Sequence, residues 1–170
     1  MVSDNAALTF ILKIRDSLFD GVPVVFCGIN NFVPELLGGA TGITGVSEDP
    51  EIAGTIEAAF QITGAASLAI ITDATDTGAR NREVAVEALR ELNGAVQFLE
   101  FSGGLYDLDE LCAALHGLGR DKVVLFLDFF QDKRNEYLAI DAVLPAICEA
   151  SPVPVFTPVD LYFGLGPAGG

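Results

Sequence analysis

Basic side chains are scarce in this sequence: 9 lysines and arginines stand against 24 aspartates and glutamates, a formal charge of −15 over 170 residues. A surface of that sign repels phosphate backbones and anionic headgroups, which argues against nucleic acid or a membrane surface as partner. There is one histidine, and the three cysteines, Cys27, Cys112 and Cys148, stand far apart in apolar stretches. With no CxxC pair, a structural zinc site lacks soft ligands, and the thiols read as buried and free rather than as a disulfide framework. Met1 to Asn5 carry neither the charged nor the apolar region of a signal peptide, and no apolar run reaches the roughly 18 residues needed to span a bilayer.

Catalytic motifs are missing as well. The glycine-rich segments Gly38 to Gly45 and Gly164 to Gly170 contain no lysine, so neither is a P-loop, and neither forms a GxGxxG turn between a strand and a helix. His116 has no GxSxG elbow to serve. A receiver domain would want an acidic pair after its first strand and a lysine after its last; Gly28-Ile29-Asn30 and Asp160-Leu161-Tyr162 stand there instead. The expectation is a protein that is not an enzyme and needs no cofactor.

What the sequence has is apolar content, 51% of residues, arranged in short β-rich runs. Five recur: Val22 to Cys27, Leu68 to Thr72, Val96 to Phe101, Val123 to Phe129 and Val153 to Thr157. Most are continuous rather than alternating, as strands covered on both faces by helices are. The segments between them carry helix signals. Asp49-Pro50 reads as N-cap and first residue of a helix with Ile52, Ile56, Ala59 and Phe60 on one face. Thr77 caps a helix striped by Ala85, Ala88, Leu89 and Leu92 and ended by Asn93-Gly94. Asp107 and Glu110 form an acidic capping box before Leu108, Leu111, Cys112 and Leu115, with Gly117 as the stop. In the last segment Pro145 requires either a helix starting near Asp141 or a kink.

Strand and helix alternating in this way predict an α/β fold, a three-layer αβα Rossmann-like parallel sheet. The exception is Asn30 to Ser47, an irregular connection holding Pro34 and glycines 38, 39, 42 and 45, and the expected boundary between two substructures. Ligands of such sheets bind beyond the carboxyl ends of the strands, and the residues there are polar: Asn30 and Asn31, then Asp73, Thr75, Asp76 and Thr77, then Asp128, Gln131 and Asp132, then Asp160 and Tyr162. Turn formation and helix capping account for the same residue types. Asp73, Thr75 and Thr77 also fit the D-x-T/S-x-T/S spacing by which von Willebrand A-type domains hold Mg²⁺ on hard oxygens, the mark of an adhesion domain. A hydrolase built on Asp73 and Asp128 would lack a nucleophile and base pair.

The run Val22 to Asn30, then Thr44-Gly45-Val46 with Glu48 and Ala53 to Glu57, resembles the ABC-transporter substrate-binding-like domain, of the type I periplasmic-binding-protein kind, found as the extracytoplasmic sensor of bacterial histidine kinases. The resemblance continues through Ile71 to Gly78, Val123 to Phe130 and Ser151 to Val155, and ends with Gly164 to Gly170. It implies a two-lobed receptor closing on a small molecule, periplasmic or extracellular, in a membrane-anchored signal-transduction parent of a two-component system or, alternatively, as the binding component of a transporter. Residues 1–45 would be the remnant of lobe one and 46–170 lobe two. Carried over by position, Asn30 would face the ligand from lobe one, and Asp73, Thr75, Thr77, Asp128, Phe129, Asp160 and Tyr162 from lobe two. With most of lobe one absent, Phe10, Ile11, Ile14, Leu18 and Val24 to Phe26 would be left bare, and the N-terminal segment is expected to dock on its own domain or to form a homodimer.

Overall fold

The computed structural model describes residues 1–30, 32–93 and 97–170, with Asn93 described by its backbone alone. Asn31, the helix stop at Gly94 and the expected strand start at Val96 lie outside the described residues. The chain divides into two compact units, Met1–Pro50 and Glu51–Gly170.

In the first unit β1 (Val2–Ser3), β2 (Val24–Asn30) and β3 (Ile43–Glu48) form a parallel sheet in the order β1-β2-β3. Helix α1 (Asn5–Leu18) connects β1 to β2, and a 3-10 turn over Pro34–Leu37 precedes β3. Leu8, Phe26 and Ile29 form the core, joined by Ile11, Leu12, Phe32, Leu37 and Ile43. Gly45 is required here, because a Cβ would fall 2.4 Å from the Phe26 ring. Strand β3 lies in the stretch expected to be irregular, and residues 46–50 belong to the first unit. The reason is physical: β3 is an edge strand with few buried side chains, held by backbone pairing that leaves little hydrophobic pattern. Of the apolar groups expected to lie bare, Phe10, Leu18 and Val25 are exposed, whereas Val24 and Phe26 are buried.

The second unit carries β4 (Ser67–Thr72), β5 (Phe98–Ser102), β6 (Lys122–Phe126) and β7 (Val155–Phe156), all parallel, in the order β5-β4-β6-β7. Successive side chains of the central strands β4 and β6 serve opposite cores. Leu68, Ile70, Val123 and Leu125 pack with α2 (Ile52–Thr63) and α3 (Asp76–Asn93), through Ile56, Ala59, Ala85 and Leu89. Ala69, Ile71, Val124 and Phe126 pack with α4 (Leu108–Leu115) and α5 (Ile140–Ala150), through Leu111, Leu115, Leu144 and Ile147. Both faces are therefore apolar, which explains the continuous runs.

Two caps differ from expectation. Helix α2 is capped by Glu51, whose carboxylate accepts from the Gly54 N–H at 3.3 Å, while the Asp49 carboxylate takes the Ser47 hydroxyl instead. Helix α3 is capped by Thr75, whose Oγ1 accepts from the Gly78 N–H at 3.1 Å, so Thr77 stands inside the first turn. The Asp107/Glu110 capping box forms as read. Helix α5 starts at Ile140, near the expected Asp141, but Pro145 sits in its second turn.

Leu125 is fully buried between sheet and helices, so Leu125→Ala should cost about 2–5 kcal/mol through lost transfer energy and a residual cavity. The exposed edge-strand change Val46→Thr should stay within about 0.5 kcal/mol. Urea titration followed by far-ultraviolet circular dichroism measures both.

Candidate functional site

The strand order fixes where loops diverge. From β4 the chain passes through α3 to β5 on one side, then crosses to β6 on the other side of β4. The carboxyl ends of β4 and β6 therefore flank the topological switch point, where neighbouring loops part and leave a crevice. Asp73 follows β4 and Asp128 follows β6, and the structure brings them together.

The two carboxylates clamp each other's loops. Asp128 Oδ1 accepts the Asp73 N–H at 2.8 Å and Oδ2 accepts Asn81 Nδ2 of α3 at 3.1 Å. In return Asp73 Oδ2 accepts the Phe130 N–H at 3.0 Å, while its Oδ1 accepts the Thr75 N–H and hydroxyl at 2.9 and 2.5 Å. Gly78 closes the arrangement: a Cβ there would lie 2.5 Å from Asp73 Oδ1 and 2.8 Å from Asp128 Oδ1. The loop after β5 joins through the Gly103 N–H, which donates to the Thr72 carbonyl at 2.8 Å. A Cβ on Gly103 would fall 2.2 Å from the Gln131 carbonyl oxygen, so three loops converge without room for side chains between them.

Asp73, Asp128 and Asn81 are buried. Burial first, and the neighbouring Asp73 carboxylate second, push Asp128 up to about 6, against the hydrogen bonds from Asp73 and Asn81 that lower it. The metal reading of Asp73, Thr75 and Thr77 meets a different geometry. The Asp73 and Thr75 oxygens are turned to main-chain and hydroxyl partners in a strand-to-helix turn, and no cluster of metal-ligating side chains occurs among the described residues.

Above this buried layer lie the rim loops. Thr75 and Thr77 are half-buried, and Asp76 and Asp160 are exposed. Gln131 is half-buried and bridges Tyr137, which folds the β6–α5 connection into a hairpin also closed by the Leu138 N–H on the Phe130 carbonyl. Asp132 stabilises its tip by accepting the Arg134 and Glu136 N–H groups at 2.8 and 3.0 Å. The hairpin is pinned to the start of α4: Arg134 Nη2 reaches Asp107 Oδ2 at 2.6 Å and Lys133 pairs with Glu110. Those contacts hold the carboxyls of Asp107 and Glu110 below their ordinary range, Asp107 chiefly through its capping-box bond and Glu110 chiefly through Lys133.

Other residues singled out from sequence fall elsewhere. Phe129 is fully buried in the α4–α5 core, and Tyr162 is buried edge-on against Phe126, ring centroids 5.8 Å apart. Their chain neighbours Phe130, Leu161 and Phe163 are exposed instead, and these rim side chains were missed. Asn30 belongs to the first unit, where its backbone N–H and C=O are both bonded to the Asn5 side chain. His116 follows α4 with Nδ1 2.7 Å from the Cys112 carbonyl.

Because Asp128 is harder to ionise folded than unfolded, it favours the folded state at low pH, and that contribution is lost as pH rises through about 6. Moving from pH 7.5 to 4.5 should therefore recover about 2 kcal/mol through this group. Asp128→Asn should remove that part of the pH dependence, as read by urea titrations at the two values. Gly78→Ala should destabilise by about 1–3 kcal/mol although alanine is the better helix former, because the atoms it meets are buried carboxylates and backbone.

No family model matches the chain, and no curated protein matches it. Among solved structures, an extracellular ligand-binding receptor from Verminephrobacter eiseniae is similar over 91% of this chain and 42% of its own, with TM-score 0.60 and 24% identity. Full-length LpoA from Haemophilus influenzae is similar over 91% of this chain and 27% of its own, with TM-score 0.50 and 11% identity. The chain thus spans less than half the length of either protein, and its α/β architecture of helix-flanked parallel sheets is similar to the extracellular receptor fold.

Proposed function

We propose that this chain is the extracytoplasmic small-molecule-binding part of a receptor, feeding a signal-transduction output. The observation that carries the reading is the switch-point rim: four loops leave the carboxyl edge of one parallel sheet above a buried clamp that fixes three of them. Thr77, Gln131 and Asp160 supply orienting polar groups on that rim, and Asp73, Asp128 and Thr75 act from beneath by holding the loops. Cys112 and Cys148 lie within the α4–α5 packing rather than on the rim. Burial pushes the Cys148 thiol up to about 11 and raises Cys112 as well, so neither is poised as a thiolate nucleophile. The likeness to an extracellular ligand-binding receptor supports the location, and among the described residues no helix is long and apolar enough to cross a membrane.

A metabolite thermal-shift screen on the 170-residue chain tests this. A ligand present at about 100 times its Kd should add about 2.7 kcal/mol of stability. Thr77→Ala combined with Asp160→Ala should abolish most of that shift. Silence across amino acids, sugars and nucleosides, or a shift indifferent to the double variant, would remove the proposal.

Self-association through the first unit belongs to the same reading, because Phe10 and Leu18 stand exposed on α1 with Val25 and Val46 exposed on the sheet. Multi-angle light scattering should give a dimer that Phe10→Ser with Leu18→Ser converts to monomer; a wild-type monomer at high micromolar concentration would contradict it.

A further inference from the structure

Large apolar side chains gather on the rim. Leu105 (72% exposed), Phe130 (38%), Tyr137 (82%), Leu161 (80%) and Phe163 (51%) all lie in the loops that follow β5, β6 and β7. Scattered exposed hydrophobics need no explanation, but turn loops ordinarily take small polar residues, and here three successive loops on one edge present rings and leucines to solvent.

Carboxylates outnumber cations on the same edge, where Arg80 of α3 is an exposed cation. Lys133 and Arg134 are the cationic side chains of these loops, and both are engaged by Asp107 and Glu110. Asp76 and Asp160 are exposed at the rim, with Asp73 and Asp128 buried beneath it. Asp76, in the first turn of α3, also offsets the positive end of that helix, which would otherwise attract an anion.

We propose that the rim selects a small ligand with an aromatic or aliphatic face and a neutral or positive charge, and discriminates against anions. This rests on the binding reading above. Tyr137, Phe130 and Phe163 offer ring faces and edges to an apolar body or a cation, and the carboxylates supply the matching field. An anion entering the same place meets that field with Lys133 and Arg134 paired to α4 and Arg80 as an exposed cation against the rim carboxylates.

A charge series on one indole-ethyl scaffold tests the inference: tryptamine as cation, indole-3-ethanol as neutral probe and indole-3-propionate as anion, at pH 7.5 and low salt. The chain contains no tryptophan, so indole fluorescence reports the probe alone. Tryptamine and indole-3-ethanol should bind at least ten-fold tighter than indole-3-propionate. Tyr137→Ser with Leu161→Ser, both at highly exposed positions, should weaken the two by at least ten-fold while leaving the circular dichroism spectrum unchanged. Equal or tighter binding of the propionate, indifference to the double variant, or no binding by any indole would overturn the inference. Citrate and glucose 6-phosphate run in parallel separate the two levels: a shift from either with the indoles silent overturns the ligand class and keeps the binding rim, whereas silence throughout overturns the ligand class and leaves the binding reading to stand or fall on the metabolite screen.

Discussion

The reciprocal clamp between Asp73 and Asp128 is the constraint on which the carboxyl edge of the second unit's sheet depends. Neighbouring loops at a switch point part in opposite directions, so sheet pairing alone does not hold them together. Here each aspartate accepts a main-chain N–H from the other's loop, Asp73 N–H to Asp128 and Phe130 N–H to Asp73, and the divergent ends are tied side by side. Burying two carboxylates is costly, and the hydrogen bonds that satisfy their oxygens offset that cost only in part, which is why Asp128 is hard to ionise. Glycine at 78 and 103 follows from the same clamp, because the loops approach too closely for a Cβ.

A second layer of order rests on the first. Phe130, held by Asp73, begins the hairpin whose tip Asp132 organises and whose basic residues lean on the start of α4. Asp107 serves both the α4 capping box and Arg134, so a single carboxylate links helix initiation to hairpin placement. Loops fixed in this way lose little entropy when they meet a ligand, and preorganisation of that kind favours binding without large rearrangement.

Much of the second unit was legible in the sequence because its determinants are local or periodic. Continuous apolar runs announced strands covered on both faces, and Asp107 with Glu110 announced a helix start that forms as read. The edge strand β3 was not legible, since an edge held by backbone pairing imposes little hydrophobic pattern. At the site, Asp73 and Asp128 were recognisable as strand-end residues, but their mutual contact spans 55 positions and turns them from expected ligand contacts into buried supports. The aromatics show a different limit. Phe129 and Phe130 are adjacent and chemically identical, and only the path of the loop decides that the first enters the core while the second faces solvent.

A buried carboxyl near 6 has the proton affinity of a general acid or base, so its accessibility decides what it does. Both Asp128 oxygens are engaged, one by a backbone N–H and one by Asn81, and the first turn of α3 at Gly78 closes over the pair. A substrate proton would have to enter a space too tight for a methyl group. Raised proton affinity at this position is therefore a consequence of tying the loops together, and the groups open to solvent above it are the carboxylates of Asp76 and Asp160 and the rings of Phe130, Tyr137 and Phe163.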